Sequence, residues 1–423
     1  MATPESSTDA SQDRKVTAGL RGASWNPELL PSDMQSRVQV VRTSDGAQIN
    51  GCLHYRGGET TVVFIMHPRE LLLSHYMVPY LLNAGFACWV QGPRTVGNDL
   101  RLEHELALLD VAAGMVNLRA NGFRRVVMLG NSGGAGLFAF YNQQAILDAE
   151  NRVPKTPAGK PSGLAEAEMP VPEAFILLSP HPGQGKLLQA MIDPSVTDED
   201  DPFGYDPALF PFIPANGYKP PADGGARYTP EFIALYRQAQ TERVARIDAR
   251  ARQMVSARMA AKKRLKEARS MPDIMLSSHQ QIFHVWRTDA DLRCFDLSLD
   301  PSERRFGSVW GAQPMVSNMG SVGFARSCTP ESWLSTWSGL SSNASFEKCG
   351  SAMQQPVLMI EYTGDNSVFP SDLDGIHAGL ASSDKQRHKV RGNHHGQSLR
   401  LDEASGQDIA GALAVAWLRD KFA

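Results

Sequence analysis

The chain has 423 residues, of which 42% are hydrophobic and 21% charged, and a formal net charge of −3. That length suits one large domain with an insertion, or two domains, and the composition is that of an ordinary globular protein. The nearly balanced charge makes no case for nucleic acid or a membrane as partner, and no apolar run approaches the length needed to span a bilayer.

The first residues, Met1 to Lys15, are polar and rich in Ser, Thr and Asp, with no apolar centre. They predict a flexible N-terminal arm over residues 1–36, neither secretory signal nor anchor. Val38–Thr43 and Ile49–Tyr55 read as strands around a Ser44-Asp45-Gly46 turn, an antiparallel hairpin at a sheet edge. Thr61–Met66 is a continuous apolar run, as a strand buried on both faces requires. A helix over Ser74–Asn83, a strand over Phe86–Val90 and a helix over Leu102–Leu118 follow. Arg125–Leu129 predicts another buried strand, with a helix from Ala135 to about Asp148.

Arg152–Pro172 is rich in Pro, Gly and Ala and reads as a surface loop before the strand Glu173–Leu178. After Pro182-Gly183 the strand rhythm stops and returns only at Pro356–Tyr362. Between them lie an acidic run (Asp198–Asp201), a Pro-rich loop and a long helical segment, Pro230 to about Ala268, with Thr229 as its cap. The many Arg and Lys of that segment predict a solvated face partly matched by the acidic run. Trp286, Trp310, Trp333 and Trp337 belong to this stretch, either as core or as an apolar roof. A strand around Arg387–Arg391 and a helix over Gln407–Phe422 close the chain.

Alternating strands and helices predict an α/β architecture, a mostly parallel sheet with helices on both faces. The interruption falls between two such units, so it reads as an inserted cap: core over 37–184, cap over 185–352, core again over 353–423. Five cysteines are scattered and odd in number, with no Cys-x-x-Cys pair. Cys52 and Cys88 read as buried thiols, and the chain as a reduced, cytoplasmic enzyme.

The most informative segment is Gly130-Asn131-Ser132-Gly133-Gly134. A strand, then Gly-x-Ser-x-Gly, then a helix is a nucleophile elbow, in which a tight turn lifts the serine hydroxyl clear of the sheet. Gly134–Ala139 also matches a dinucleotide fingerprint. That motif needs an acidic residue at the end of a second strand, where this chain has a Pro-rich loop. A phosphate loop would need Gly-Lys-Ser/Thr, which is missing. A serine needs a base, and the base an orienting acid. Downstream, Gly364-Asp365-Asn366 follows one strand, and Gly392-Asn393-His394-His395-Gly396 follows the last.

The elbow, the Asp365-x-x-Val368-x-Pro370 loop and the late Gly392-x-x-His395 loop occur in the order and places typical of α/β-hydrolase fold enzymes, and the chain resembles that superfamily over about Val38–Gly183 and Pro356–Ala423. The resemblance implies Ser132 as nucleophile, Asp365 as orienting acid and His395 as base, with His394 the alternative. It implies an oxyanion hole made by the N–H of Gly133 and a donor after the third strand. Many relatives carry His-Gly there. This chain has His67-Pro68, and proline has no N–H, which moves the expected donor to Arg69, with Glu70 the alternative. Arg94, His67 and His181 are the expected substrate-binding side chains. Arg69 and Arg94 would clamp a substrate carboxylate unless they pair with Glu70, Asp99 or Glu103.

The expected activity is serine hydrolysis of a carboxylic ester or thioester, on an anionic or aromatic small molecule, with no metal or organic cofactor. The alternatives are a carbon–carbon bond hydrolase of a diketone-like compound and a non-catalytic binding member of the fold. No nucleic-acid or membrane partner is expected; a homodimer is compatible with the sequence but not indicated by it.

Overall fold

The apolar runs assemble into one eight-stranded sheet in the computed structural model, which describes residues 23–321 and 323–422. The strands are β1 (Gln35–Arg42), β2 (Gln48–Tyr55), β3 (Thr61–Met66), β4 (Ala87–Gln91), β5 (Arg125–Asn131), β6 (Ala174–Leu178), β7 (Val357–Tyr362) and β8 (Lys385–Val390). Their order across the sheet is β1-β2-β4-β3-β5-β6-β7-β8. The β1–β2 and β2–β4 pairings are antiparallel and the other five parallel. The β1–β2 hairpin closes on Gly46, whose φ of 86° suits glycine.

Every residue of β3, β4, β6 and β7 is buried, as their mainly apolar sequence leads one to expect, with Gln91 and Glu361 among the buried polar exceptions. Successive side chains of β3 go to opposite faces. Val62, Phe64 and Met66 pack with helices α2 (His104–Ala120) and α3 (Gly133–Ala145). Val63 and Ile65 pack with helix Val78–Asn83 and with Ala414, Trp417 and Leu418 of the C-terminal helix Gly406–Phe422. The helix expected over Ser74–Asn83 starts only at Val78, because the His75 ring accepts the Met77 N–H and folds Ser74–Met77 into turns.

Residues 1–22 of the expected arm lie outside the described residues. Residues 23–34 lie against the core: Trp25 N–H donates to Ser74 O (2.6 Å), Tyr76 N–H donates to Ala23 O (2.8 Å), and Ala23 is buried.

Between β6 and β7 the chain leaves the sheet. Thr229 caps a 35-residue helix, Pro230–Arg264, by accepting the Phe232 N–H. This insertion has apolar centres of its own, one around Val244, Ile247, Trp333 and Trp337, another around Phe210, Phe212 and Phe295. The acidic run does meet the basic helix: Glu199 takes both arms of Arg243 (2.7 and 2.6 Å), and Asp200 takes Arg250 (2.8 Å). Arg243 is fully buried and also donates to the Trp286 carbonyl, so part of what reads as a solvated charged face is an internal brace. The five cysteines are free and buried. Among the described residues no helix is long and apolar enough to cross a membrane.

Candidate active site

β5 ends at Asn131 and α3 begins at Gly133, which leaves a single residue to reverse the chain. Ser132 does so at φ 53° and ψ −117°, a strained conformation for a residue with a Cβ. The turn survives because its flanks are glycines. A Cβ on Gly130 would come within 2.5 Å of the Ala135 backbone, and one on Gly134 within 2.4 Å of Met66 O. The Ser132 N–H is held by Leu178 O at 2.9 Å, which ties the elbow to β6. The side chain is half-buried and opens on a cavity of about 600 Å³.

The histidine that meets Ser132 is His394. Its Nε2 lies 3.1 Å from Ser132 Oγ, and its Nδ1 lies 2.7 Å from Asp365 Oδ2. Asp365 is buried, and its Oδ1 accepts the N–H groups of Ser367 (2.7 Å) and Val368 (3.0 Å). A carboxylate only accepts, so His394 Nδ1–H donates to it, and Nε2 presents its lone pair to the serine hydroxyl.

His395, the expected base, is not at Ser132. Asn393 Oδ1 accepts the N–H groups of both His395 and Gln397 (3.0 Å each), and in this turn His394 takes the bond to Ser132, while His395 also lines the cavity but packs edge-on against the His394 ring (centroids 4.9 Å apart). The His395 carbonyl is taken by Gln407 Nε2 at 2.8 Å. Loss of solvent pushes the His395 ring well below its usual pKa, with His394 and His75 adding to the effect.

The other expected residues divide. Gly133, His67 and His181 stand around Ser132. Arg69 lines the cavity, but its N–H turns onto His67 Nδ1 (3.2 Å), the ring two residues back across Pro68, which corrects its expected place in an oxyanion hole. Its guanidinium is paired in two bonds with Asp99 (2.6 and 2.7 Å) and lies over Phe324 and Trp337. Arg94 does not reach the site. Its N–H and Nε hold the buried Asp110 (2.8 Å each), its Nη2 holds Asp45 (2.9 Å), and it lines a different cleft with Gln48 and Arg101. The expected two-arginine clamp is therefore not assembled: β4 delivers Arg94 to the flank where α2 supplies Asp110.

Sequence reading missed Gln184, Arg305, Phe324 and Asn366 in the cavity wall. Gln184 is the first residue of helix Gln184–Met191, directly after Pro182-Gly183, a place that marks a strand end but not a site. Of the four tryptophans, Trp333 and Trp337 are core, and Trp310 faces the cavity. Among the described residues no group of three or more His, Cys, Asp or Glu side chains is arranged to hold a metal ion.

The strand order, the antiparallel β2, the elbow after β5 and the insertion after β6 define an α/β-hydrolase fold. No family model and no curated protein matches the chain. Solved structures similar to it include DcsB in complex with its substrate analogue, at 12% identity and TM-score 0.48, over 92% of this chain and 100% of that one. The Pyrococcus furiosus esterase Pf2001 is 10% identical with TM-score 0.43, over 97% of each chain. The α/β hydrolase GrgF of Penicillium sp. sh18 is 10% identical with TM-score 0.45, over 92% and 96%.

Proposed function

We propose that the chain is a serine hydrolase that cleaves a carboxylic ester or thioester of a small molecule, with Ser132 as nucleophile, His394 as base and Asp365 as orienting acid. The reading rests on the unbroken line of hydrogen bonds Ser132–His394–Asp365 opening on the cavity. His394 Nε2 takes the hydroxyl proton as Ser132 Oγ bonds to the carbonyl carbon, and the carbonyl electron pair moves to oxygen. The pair returns as the leaving group departs with the proton from His394. Water, deprotonated by the same ring, then frees the acid from the acyl-enzyme. Trp310 and Phe324 give an acyl or aromatic group a surface to pack on. With Arg69 paired to Asp99, a carboxylate on the substrate gains little from it.

A fluorophosphonate probe tests this. The wild type should be labelled and should hydrolyse an aryl ester, and Ser132→Ala should do neither. A folded wild type that is neither labelled nor active would turn the reading toward a binding protein. Cleavage of a β-diketone in preference to the ester would move the chemistry to a carbon–carbon bond.

A further inference from the structure

Three side-chain nitrogens from three separate elements converge beside the nucleophile. A Cβ on Gly133, the residue after Ser132, would lie 2.7 Å from Gln184 Nε2, 2.9 Å from His67 Nε2 and 3.0 Å from His181 Nε2. His67 follows β3, His181 follows β6 and Gln184 opens the next helix. All three are buried, at 5%, 1% and 2% exposure. The Gln184 amide has a partner at neither its nitrogen nor its oxygen among the described residues. A buried amide without partners costs stability, so its persistence asks for a ligand.

The protons on the two rings follow from their other edges. His67 Nδ1 accepts the Arg69 N–H at 3.2 Å, and His181 Nδ1 accepts the Gly183 N–H at 3.3 Å. A neutral imidazole that accepts at Nδ1 carries its hydrogen on Nε2. Both rings stay neutral, because burial pushes His67 well below its usual range and His181 down to about 3. The Gly133 N–H adds a fourth donor at the N-terminus of α3, where no intrahelical acceptor exists.

We propose that the tetrahedral oxyanion formed at Ser132 is held mainly by side chains: His67 Nε2–H, His181 Nε2–H and Gln184 Nε2, together with the N–H of Gly133. This rests on the serine-hydrolase reading and gives that site a different anion cradle from one of backbone N–H groups alone. It also accounts for Pro68: the missing backbone donor is replaced by the adjacent ring, and the Arg69 N–H fixes that ring's proton. Neutral donors meet the charge as it develops on the carbonyl oxygen, yet they bind a departing carboxylate less tightly than cations would.

The test compares Gln184→Leu, His67→Leu and His67→Gln with the wild type on an aryl ester. Gln184→Leu removes no hydrogen bond within the protein, so it should melt at the same temperature or higher while kcat falls about 100-fold and KM stays within about 3-fold. His67→Leu should lose as much, and His67→Gln, which puts a donor back, should recover most of it. Affinity for a trifluoromethyl ketone, which forms a stable tetrahedral adduct with Ser132, should fall in step with kcat/KM. A wild type that neither turns over the ester nor takes the fluorophosphonate label removes the hydrolase reading itself. An active wild type whose Gln184→Leu variant keeps kcat within about 3-fold overturns the side-chain cradle and leaves that reading standing.

Discussion

Two adjacent histidines differ in what their side chains can reach, and the difference lies in one asparagine. Asn393 Oδ1 gathers the N–H groups of residues 395 and 397, so the backbone turns between the two rings. His394→Ala should therefore lower kcat/KM by about 10⁴-fold or more, whereas His395→Ala should stay within about 10-fold of the wild type. Equal losses in steady-state assays of the two variants would show that the loop rearranges on substrate binding. The residue types Ser132, Asp365 and a late histidine were legible in the sequence because the first two follow apolar runs and the histidine pair follows the last strand. Which of two neighbouring rings faces the serine was not, because a side-chain-to-backbone turn at Asn393 decides it. Gln184 was illegible for a related reason: its role depends on His67, which is distant in sequence, meeting His181 beside it.

At the scale of elements, apolar runs such as Thr61–Met66 announced strands buried on both faces, and the structure has them there. The insertion carries no such period, because much of it is held by specific polar pairs rather than by a repeated apolar stripe. Arg94 shows how such pairs mislead. Its place after β4 suggested a substrate clamp, but α2 brings Asp110 against it, and the pair braces the sheet. Burial pushes the Asp110 carboxyl up to about 6 against the pull of Arg94. Arg94→Ala strands that carboxyl and should cost about 3–5 kcal/mol in denaturant unfolding. The ratio of kcat/KM for an anionic and a neutral ester should not change. A selective loss on the anionic ester would restore Arg94 to the substrate.

For the whole molecule, the histidines set a pH limit on stability. His67, His75, His104, His181 and His395 are all held below the usual imidazole range, chiefly by burial. Each stays neutral in the folded chain and takes up a proton on unfolding once the pH falls below about 6.5. Their contribution is complete above that pH and is lost as the pH drops toward the folded values, about 4 for His75 and His104. Asp110, raised to about 6, acts in the opposite sense, since the folded state holds its proton between about 6 and 4. A difference between two proteins isolates one histidine from this mixture. His104 is 1% exposed, and its Nδ1 has no partner among the described residues. His104→Gln removes one proton uptake, so the stability of the variant relative to the wild type should improve by about 1.4 kcal/mol per pH unit on acidification. Between pH 6.5 and pH 5 that amounts to about 2 kcal/mol, readable from urea midpoints at the two pH values. An unchanged difference would mean that His104 is already protonated in the folded chain, and that burial does not hold this ring neutral.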